Sequence, residues 1–337
     1  MIMQAIYRRN YGSPDTLALV DVEKPSPKVN EVVIRVHAAG LHVGDAFAVR
    51  GSPFLMRMET GWTRPKRGIP GFDVAGTVET VGKEVTQWKP GDAVLGECRG
   101  SCAQYVTASE DRLARKPSCL TFAQAAVVPT SGLAALHALR DVARVASGQR
   151  VLINGASGGV GTFAIQIAKA WGAEVTGVCS DRNVDMVRSI GADHVIAYDR
   201  EDFTTGDGRY DVIFDNVENR SLQECRRVLG PSGTLILNSG TGASGIALLW
   251  RLIKPLLISP FTRQNLRRYL SVPNRKDLEL LATLIKDGCL TPVVDRSFSL
   301  AETPDAIRYL ETGRVKGKVV VLVEEFMPPV STDETTH

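Results

Sequence analysis

Histidine is scarce in this chain. Five occur among 337 residues, at positions 37, 42, 137, 194 and 337, and they form no metal-ligand spacing. Cysteine is nearly as rare: six stand at irregular intervals, which excludes a disulfide framework and reads as reduced thiols. No 18-residue apolar run is free of charge, so no transmembrane helix is expected. The opening MIMQAIYRRNYGSPDTL lacks a charged segment followed by an apolar core, so no signal-peptide pattern is present and a cytoplasmic location is expected. Charge of one sign is also missing. The net charge of +3 is spread along the chain and gives no electrostatic case for nucleic acid. No internal repeat is found.

What is present reads as two domains. Residues 1–125 carry many short β signals, among them EVVIRVHAAGL (31–41), GFDVAGTVETVG (71–82) and DAVLGE (92–97), punctuated by glycine and Pro90-Gly91. They predict a barrel-like β domain. TFAQAAVVPTSGLAALHALRDVA (121–143) reads as two helices broken near Pro129. Apolar strands then alternate with amphipathic helices, the pattern of an α/β doubly wound parallel sheet over 126–271. A helix at 276–287, a strand at 293–298, a helix at 301–312 and a strand at 318–323 follow, and 272–325 is expected to complete the first domain. The tail 326–337 reads as flexible.

The strongest local signal is VLINGASGGVGTFAIQIAKAWGAEVTGVCSDRN (151–183). A strand runs into a glycine-rich turn and a helix follows at once. Ala156, Ser157, Gly158, Gly159, Val160 and Gly161 form a Rossmann fingerprint whose first glycine is an alanine. Such a turn lets the backbone approach a pyrophosphate at a helix N-terminus. The second strand ends near Cys179 without a carboxylate, followed by Ser180, Asp181 and Arg182. Arg182 suits a 2′-phosphate, so NADP(H) is preferred. In the competing reading Asp181 binds the ribose of NAD(H).

These segments resemble the medium-chain dehydrogenase/reductase superfamily, in its zinc-independent quinone oxidoreductase-like branch. The likeness covers about 1–325 and rests on GLHVGDAFAVRG (40–51), PGFDVAGTVETVG (70–82), WKPGDAV (88–94), GLAALHAL (132–139), the glycine loop, IGADHVIAYDREDF (190–203) and GRVKGKVVVLV (313–323). It implies a Rossmann domain inserted into a GroES-like β domain, an active site in the cleft between them, and a homodimer. It implies that Ser180, Arg182 and Tyr198 read the adenosine end. Asn216, Val217, Asn238, Ser239 and Gly240 would flank the nicotinamide and its ribose, and Thr130 would pass beneath the ring.

The resemblance also frames IPGFDVAGTV (69–78). Zinc-dependent relatives place a cysteine after the GLH corner and a histidine after Pro-Gly. This chain has Val43 and Phe72 there, and neither binds metal. No zinc is expected. Cys98 and Cys102 alone cannot form a four-cysteine lobe and read as buried or loop thiols. Without a Lewis acid, alkoxide chemistry is disfavoured, and the expected substrate is a small hydrophobic quinone or enone. His42 is a candidate substrate-binding proton donor, with Asp45 orienting it; the plainer reading has Asp45 capping a helix and His42 lining the cleft. The loop 50–71 carries Arg57, Arg64, Lys66 and Arg67 and reads as solvated surface. The apolar stretch 246–262 reads as a cleft-lining segment. Two other functions stay open: a zinc-free alcohol dehydrogenase or carbonyl reductase, and a non-catalytic dinucleotide-binding protein.

Overall fold

Alternating β-branched residues build the first sheet. In the computed structural model, which describes residues 1–52, 57, 60–206, 208–238, 253, 259 and 262–323, the N-terminal strands are β1 (Ile2–Tyr7), β2 (Ala18–Glu23), β3 (Glu31–Leu41), β4 (Asp73–Val81), β5 (Ala93–Glu97), β6 (Tyr105–Ser109) and β7 (Leu113–Arg115). Helix α1 (Val43–Arg50) follows β3 directly. β1 and β2 form their own antiparallel pair.

The chain then switches period. Thr121 opens α2 (Phe122–Ala126) with a capping box. Pro129 stands in the first turn of α3 (Pro129–His137), where its missing N–H costs nothing. So the proline seen in the sequence starts the second helix rather than merely ending the first. Six parallel strands follow: β8 (Arg150–Asn154), β9 (Glu174–Cys179), β10 (His194–Ala197), β11 (Tyr210–Asp215), β12 (Leu229–Leu237) and β13 (Asn265–Arg267). Helices α4 (Gly159–Ala170), α5 (Val184–Ser189) and α6 (Leu222–Val228) connect them. The strand order β10-β9-β8-β11-β12-β13 reverses direction between β8 and β11. That is the topological switch point, where open α/β sheets bind ligands.

Helix α7 (Arg275–Lys286) buries Leu278, Leu281, Ala282 and Ile285, one face at helical spacing. Strand β14 (Val294–Ser299), helix α8 (Thr303–Glu311) and strand β15 (Lys318–Leu322) come last. β15 pairs antiparallel with β3, setting Val319 opposite Leu41, and β14 lies outside it. The C-terminal strands therefore join the sheet begun by the N-terminal ones, in the order β14-β15-β3-β4-β5-β7 with β6 also on β3.

One apolar cluster runs from Ile153 and Phe163 of the parallel sheet through Val128 and Leu133 to Leu281 and Val320. A second fills the first sheet, with Ile34, Leu41, Leu113, Ile307 and Val319. The shared cluster fixes the glycine loop against the edge of the first sheet, which is what shapes the cleft. All six cysteines are free, and Cys98 and Cys102 are buried. Among the described residues no helix is long and apolar enough to cross a membrane.

Candidate active site

The glycine loop is built as its pattern requires. β8 ends at Asn154, Gly155 turns with φ 79°, and the backbone N–H groups of Gly155 and Ala156 donate to the Val178 carbonyl. Gly158 is the N-cap of α4, and no side chain caps that end. The helix therefore offers its N-terminus, with its partial positive charge, to a ligand. A Cβ on Gly161 would stand 2.8 Å from Ala156 Cα and closer still to the Gly155 carbonyl oxygen, so glycine is needed for the loop to lie against its helix. A Cβ on Gly159 would stand 2.9 Å from Lys318 Cδ and 3.0 Å from Ser131 Oγ. Asn183 Nδ2 donates to Ser157 Oγ at 3.0 Å and ties the loop to the turn after β9.

That turn gathers the residues expected at the adenosine end. Ala197 of β10 pairs with Cys179 of β9, and the Tyr198 N–H donates to the Cys179 carbonyl. Ser180, Arg182 and Tyr198 thus share one end of the parallel sheet. Arg182 and Tyr198 are exposed. Asp181 is engaged otherwise: Arg200 Nη2 donates to its carboxylate at 2.5 Å. Arg182 has no such partner among the described residues.

At the switch point the polar residues interlock. Asn154 Nδ2 donates to Asp215 Oδ1 at 2.8 Å, and the N–H groups of Val217 and Glu218 converge on that same oxygen. Asn238 Nδ2 donates to Asn216 Oδ1 at 2.8 Å, and Asn216 Nδ2 to the Asn154 carbonyl at 3.2 Å. Val217 lies against Gly155. Asn216, Val217 and Asn238 therefore border the glycine loop. Ser239 and Gly240 lie outside the described residues, as does most of 246–262.

Across the cleft, Asp73 is fully buried at the start of β4. Its Oδ1 accepts from the Thr130 N–H at 3.0 Å and from Thr130 Oγ1 at 2.5 Å, while Lys318 Nζ reaches Oδ2 at 3.0 Å. The Lys318 stem packs beside Gly159. Next to Asp73, Phe72 stacks on His42, ring centroids 5.7 Å apart and planes 19° from parallel.

His42 is the N-cap of α1. Its Nδ1 accepts from the Gly44 N–H at 2.9 Å, and its own N–H donates to Asp45 Oδ2 at 2.8 Å. This is a capping box, so the plainer reading of Asp45 describes its contacts: it holds the His42 backbone, and the imidazole Nε2 stays 3.7 Å from its carboxylate. Burial lowers the His42 pKa, the main cause, and burial likewise raises that of Asp45. With Nδ1 accepting, the proton of the neutral ring sits on Nε2. That nitrogen is buried and has no partner among the described residues.

The comparisons with known proteins agree with this geometry. Residues 28–138 match the alcohol dehydrogenase GroES-like domain, and 190–321 match the zinc-binding dehydrogenase family. The chain is 30% identical to the chloroplastic quinone-oxidoreductase homolog of Spinacia oleracea, over 95% of this chain and 98% of that one. It belongs to the medium-chain dehydrogenase/reductase superfamily, in its quinone oxidoreductase-like branch. It is 32% identical to the 2-methylene-furan-3-one reductase of Solanum lycopersicum, over 95% of this chain and 79% of the relative. The quinone oxidoreductase structure from Coxiella burnetii superposes with a TM-score of 0.85 at 33% identity, covering 96% of this chain and 100% of that one.

As a medium-chain dehydrogenase/reductase, the chain is an oxidoreductase served by a nicotinamide dinucleotide. Several members of the site were not singled out from the sequence. Asp73 was visible beside Phe72 and Lys318 within GKVVV, yet nothing local says that residues 245 positions apart meet. Asn154 and Asp215 could have been found from their place at the ends of β8 and β11, since strand ends at a switch point face the ligand.

Proposed function

We propose that this chain uses NADPH to reduce quinones or α,β-unsaturated carbonyl compounds without a metal. The observation that carries the reading is the Phe72–His42 pair: a phenyl ring where a ligand would stand, stacked on a neutral imidazole. Val43, the other ligand place, begins α1. Neither side chain coordinates a cation, so the cleft has no protein ligands there for a Lewis acid on an alkoxide. A single unpaired Nε2–H remains. One such donor suits the oxygen of a conjugated acceptor, where developing charge is delocalised and a hydrogen bond suffices.

The residues present fit a dinucleotide. The uncapped N-terminus of α4 and the open space beside Gly158, where an added Cβ meets only the Gly155 carbonyl oxygen at 3.4 Å, suit the pyrophosphate. The cofactor, when bound, supplies the hydride. In this reading Thr130, Asn216, Val217 and Asn238 position its nicotinamide end. Arg182 supports NADPH over NADH, because it is exposed and has no ion-pair partner among the described residues, while Asp181 is held by Arg200.

A rate survey over quinones, enones, saturated aldehydes and simple alcohols tests the reading. Quinones or enones are expected to lead by at least about tenfold in kcat/KM, and NADPH to lead NADH. Arg182→Ala should raise the KM for NADPH roughly tenfold and leave NADH within about twofold. Faster turnover of simple alcohols, or a wild-type preference for NADH, would overturn it.

A further inference from the structure

The turn after β9 does not stand alone at the adenosine end. The Gly317 N–H donates to the Ser157 carbonyl at 2.8 Å, and Gly317 bridges Gly158 in parallel register. The segment before β15 is thereby laid on the cofactor loop, and Asn183 ties the same loop to the turn through Ser157 Oγ. Asp295 of β14 fixes two neighbours with one carboxylate oxygen. Its Oδ2 accepts from the Lys316 N–H at 3.0 Å and from the Tyr309 hydroxyl of α8 at 2.7 Å. Arg296, the next residue of β14, lies over the Tyr309 ring, its guanidinium carbon 4.2 Å from the ring centroid. Arg182 approaches the same phenol from the turn after β9. Burial and the Asp295 carboxylate raise the Tyr309 pKa, and the charges of both Arg296 and Arg182 oppose that rise.

Two arginines from the two sheets therefore face one tyrosine. Both are exposed, and neither is ion-paired to an acid among the described residues. The neighbouring acids are committed elsewhere: Asp295 to Tyr309 and Lys316, and Asp181 to Arg200. Like charges so placed repel each other, and an anion between them relieves the repulsion. Arginine suits a phosphate in particular, because its planar fork presents parallel N–H donors. The Tyr309 ring carries the Arg296 guanidinium and Asp295 anchors the phenol, so less side-chain freedom is lost when an anion binds. In a bound dinucleotide the pyrophosphate belongs at the N-terminus of α4. The phosphate that belongs at the end of β9 is the one on the adenosine 2′ position.

We infer that Arg296 is a second cation for the 2′-phosphate of the cofactor, reaching it from β14 while Arg182 reaches it from the turn after β9. Tyr309 is a positioning residue that holds the Arg296 guanidinium toward the turn. This inference rests on the proposed use of NADPH, and the test separates the two. The probes are 2′,5′-ADP and 5′-AMP, which differ by that one phosphate, titrated calorimetrically into the full-length protein at low ionic strength. Wild type should bind 2′,5′-ADP at least about tenfold more tightly than 5′-AMP. Arg296→Gln should cut that ratio at least about threefold and leave 5′-AMP affinity within about twofold, and Arg296→Lys should restore part of the ratio. Tyr309→Leu, which removes the ring under the guanidinium, should lower the ratio by about twofold or more. Arg182→Gln serves as the comparison. If Arg182→Gln lowers the ratio and Arg296→Gln leaves it at the wild-type value, the use of NADPH stands and the role of Arg296 falls. Equal weakening of both probes by Arg296→Gln also overturns the inference, since the 2′-phosphate would then not be what Arg296 holds. A Tyr309→Leu ratio equal to that of wild type removes the positioning role. A wild-type ratio near one removes the proposed NADPH preference itself, whatever the variants do.

Discussion

Phe72 and Asp73 are neighbours with opposite surroundings. Phe72 turns its ring to His42 at the cleft, and Asp73 turns inward to Thr130 and Lys318. Strand alternation produces this split, since successive side chains point to opposite faces. At the same scale the glycines of the cofactor loop are not equivalent. An added Cβ at Gly158 meets nothing nearer than the Gly155 carbonyl oxygen at 3.4 Å, whereas at Gly161 it stands 2.8 Å from Ala156 Cα, a backbone atom that cannot yield. Gly161→Ala should therefore destabilise by about 1–3 kcal/mol through overpacking. Gly158→Ala should cost less than about 1 kcal/mol, the price of a poorer N-cap. Urea unfolding of the two variants checks this, and equal losses would contradict the packing argument. The sequence made the loop legible because glycine spacing is a local signal. It could not rank the glycines, since what each one avoids comes from a different element: Lys318 for Gly159, Val217 for Gly155.

At the scale of elements, α7 shows where local reading succeeds and where it stops. Its apolar period places a helix at 276–287, and the structure has one at Arg275–Lys286. The same period says nothing about Asp277, which sits in the first turn and is nearly buried. Its carboxylate accepts from Arg140 Nη1 at 2.5 Å, from Asn274 Nδ2 at 2.7 Å, and bonds His137 Nε2 at 2.9 Å. These contacts pin α7 to α3 and to the π-helical segment that continues it, Ala138–Ala143. Hydrogen bonding by Arg140 is the main cause holding the Asp277 pKa well below the usual carboxylate range. A carboxyl whose folded pKa lies below its unfolded one adds stability at neutral pH, and that stability drains away as pH falls below about 4. Asp277→Asn should cost about 1–3 kcal/mol at pH 7, in line with lost charge-assisted hydrogen bonds. The gap between wild type and variant should be constant from about pH 8 to 5 and narrow below about pH 4. Denaturant midpoints measured across that range give the answer, and a gap that widens in acid would refute the assignment.

The whole molecule depends on how its two ends meet. β15 closes on β3, and from its first residue Lys318 reaches Asp73 while its stem packs beside Gly159 of the cofactor loop. One buried ion pair thus joins the first sheet, the C-terminal strand and, through Thr130, helix α3. Long-range closure of this kind was legible only as an expectation that the C-terminal segment returns to the first domain. The pairing of two charges 245 residues apart is a product of sheet order, which no local pattern encodes. Breaking the pair from either side strands a charge: Asp73→Asn leaves a buried ammonium, and Lys318→Met leaves a buried carboxylate with Thr130 as its remaining partner. Each single change should destabilise by about 3–5 kcal/mol. The double change removes both charges and keeps an unbranched stem beside Gly159, so it should cost less than the sum of the singles by at least about 1 kcal/mol. Additive losses in urea unfolding would show that the pair contributes no coupling. NADPH affinity gives a second readout on the same proteins. If the ion pair serves only to position the loop, the double variant binds NADPH about as well as its stability allows. A further large loss of affinity, with folding retained, would mean that the Lys318 ammonium also acts on the cofactor itself.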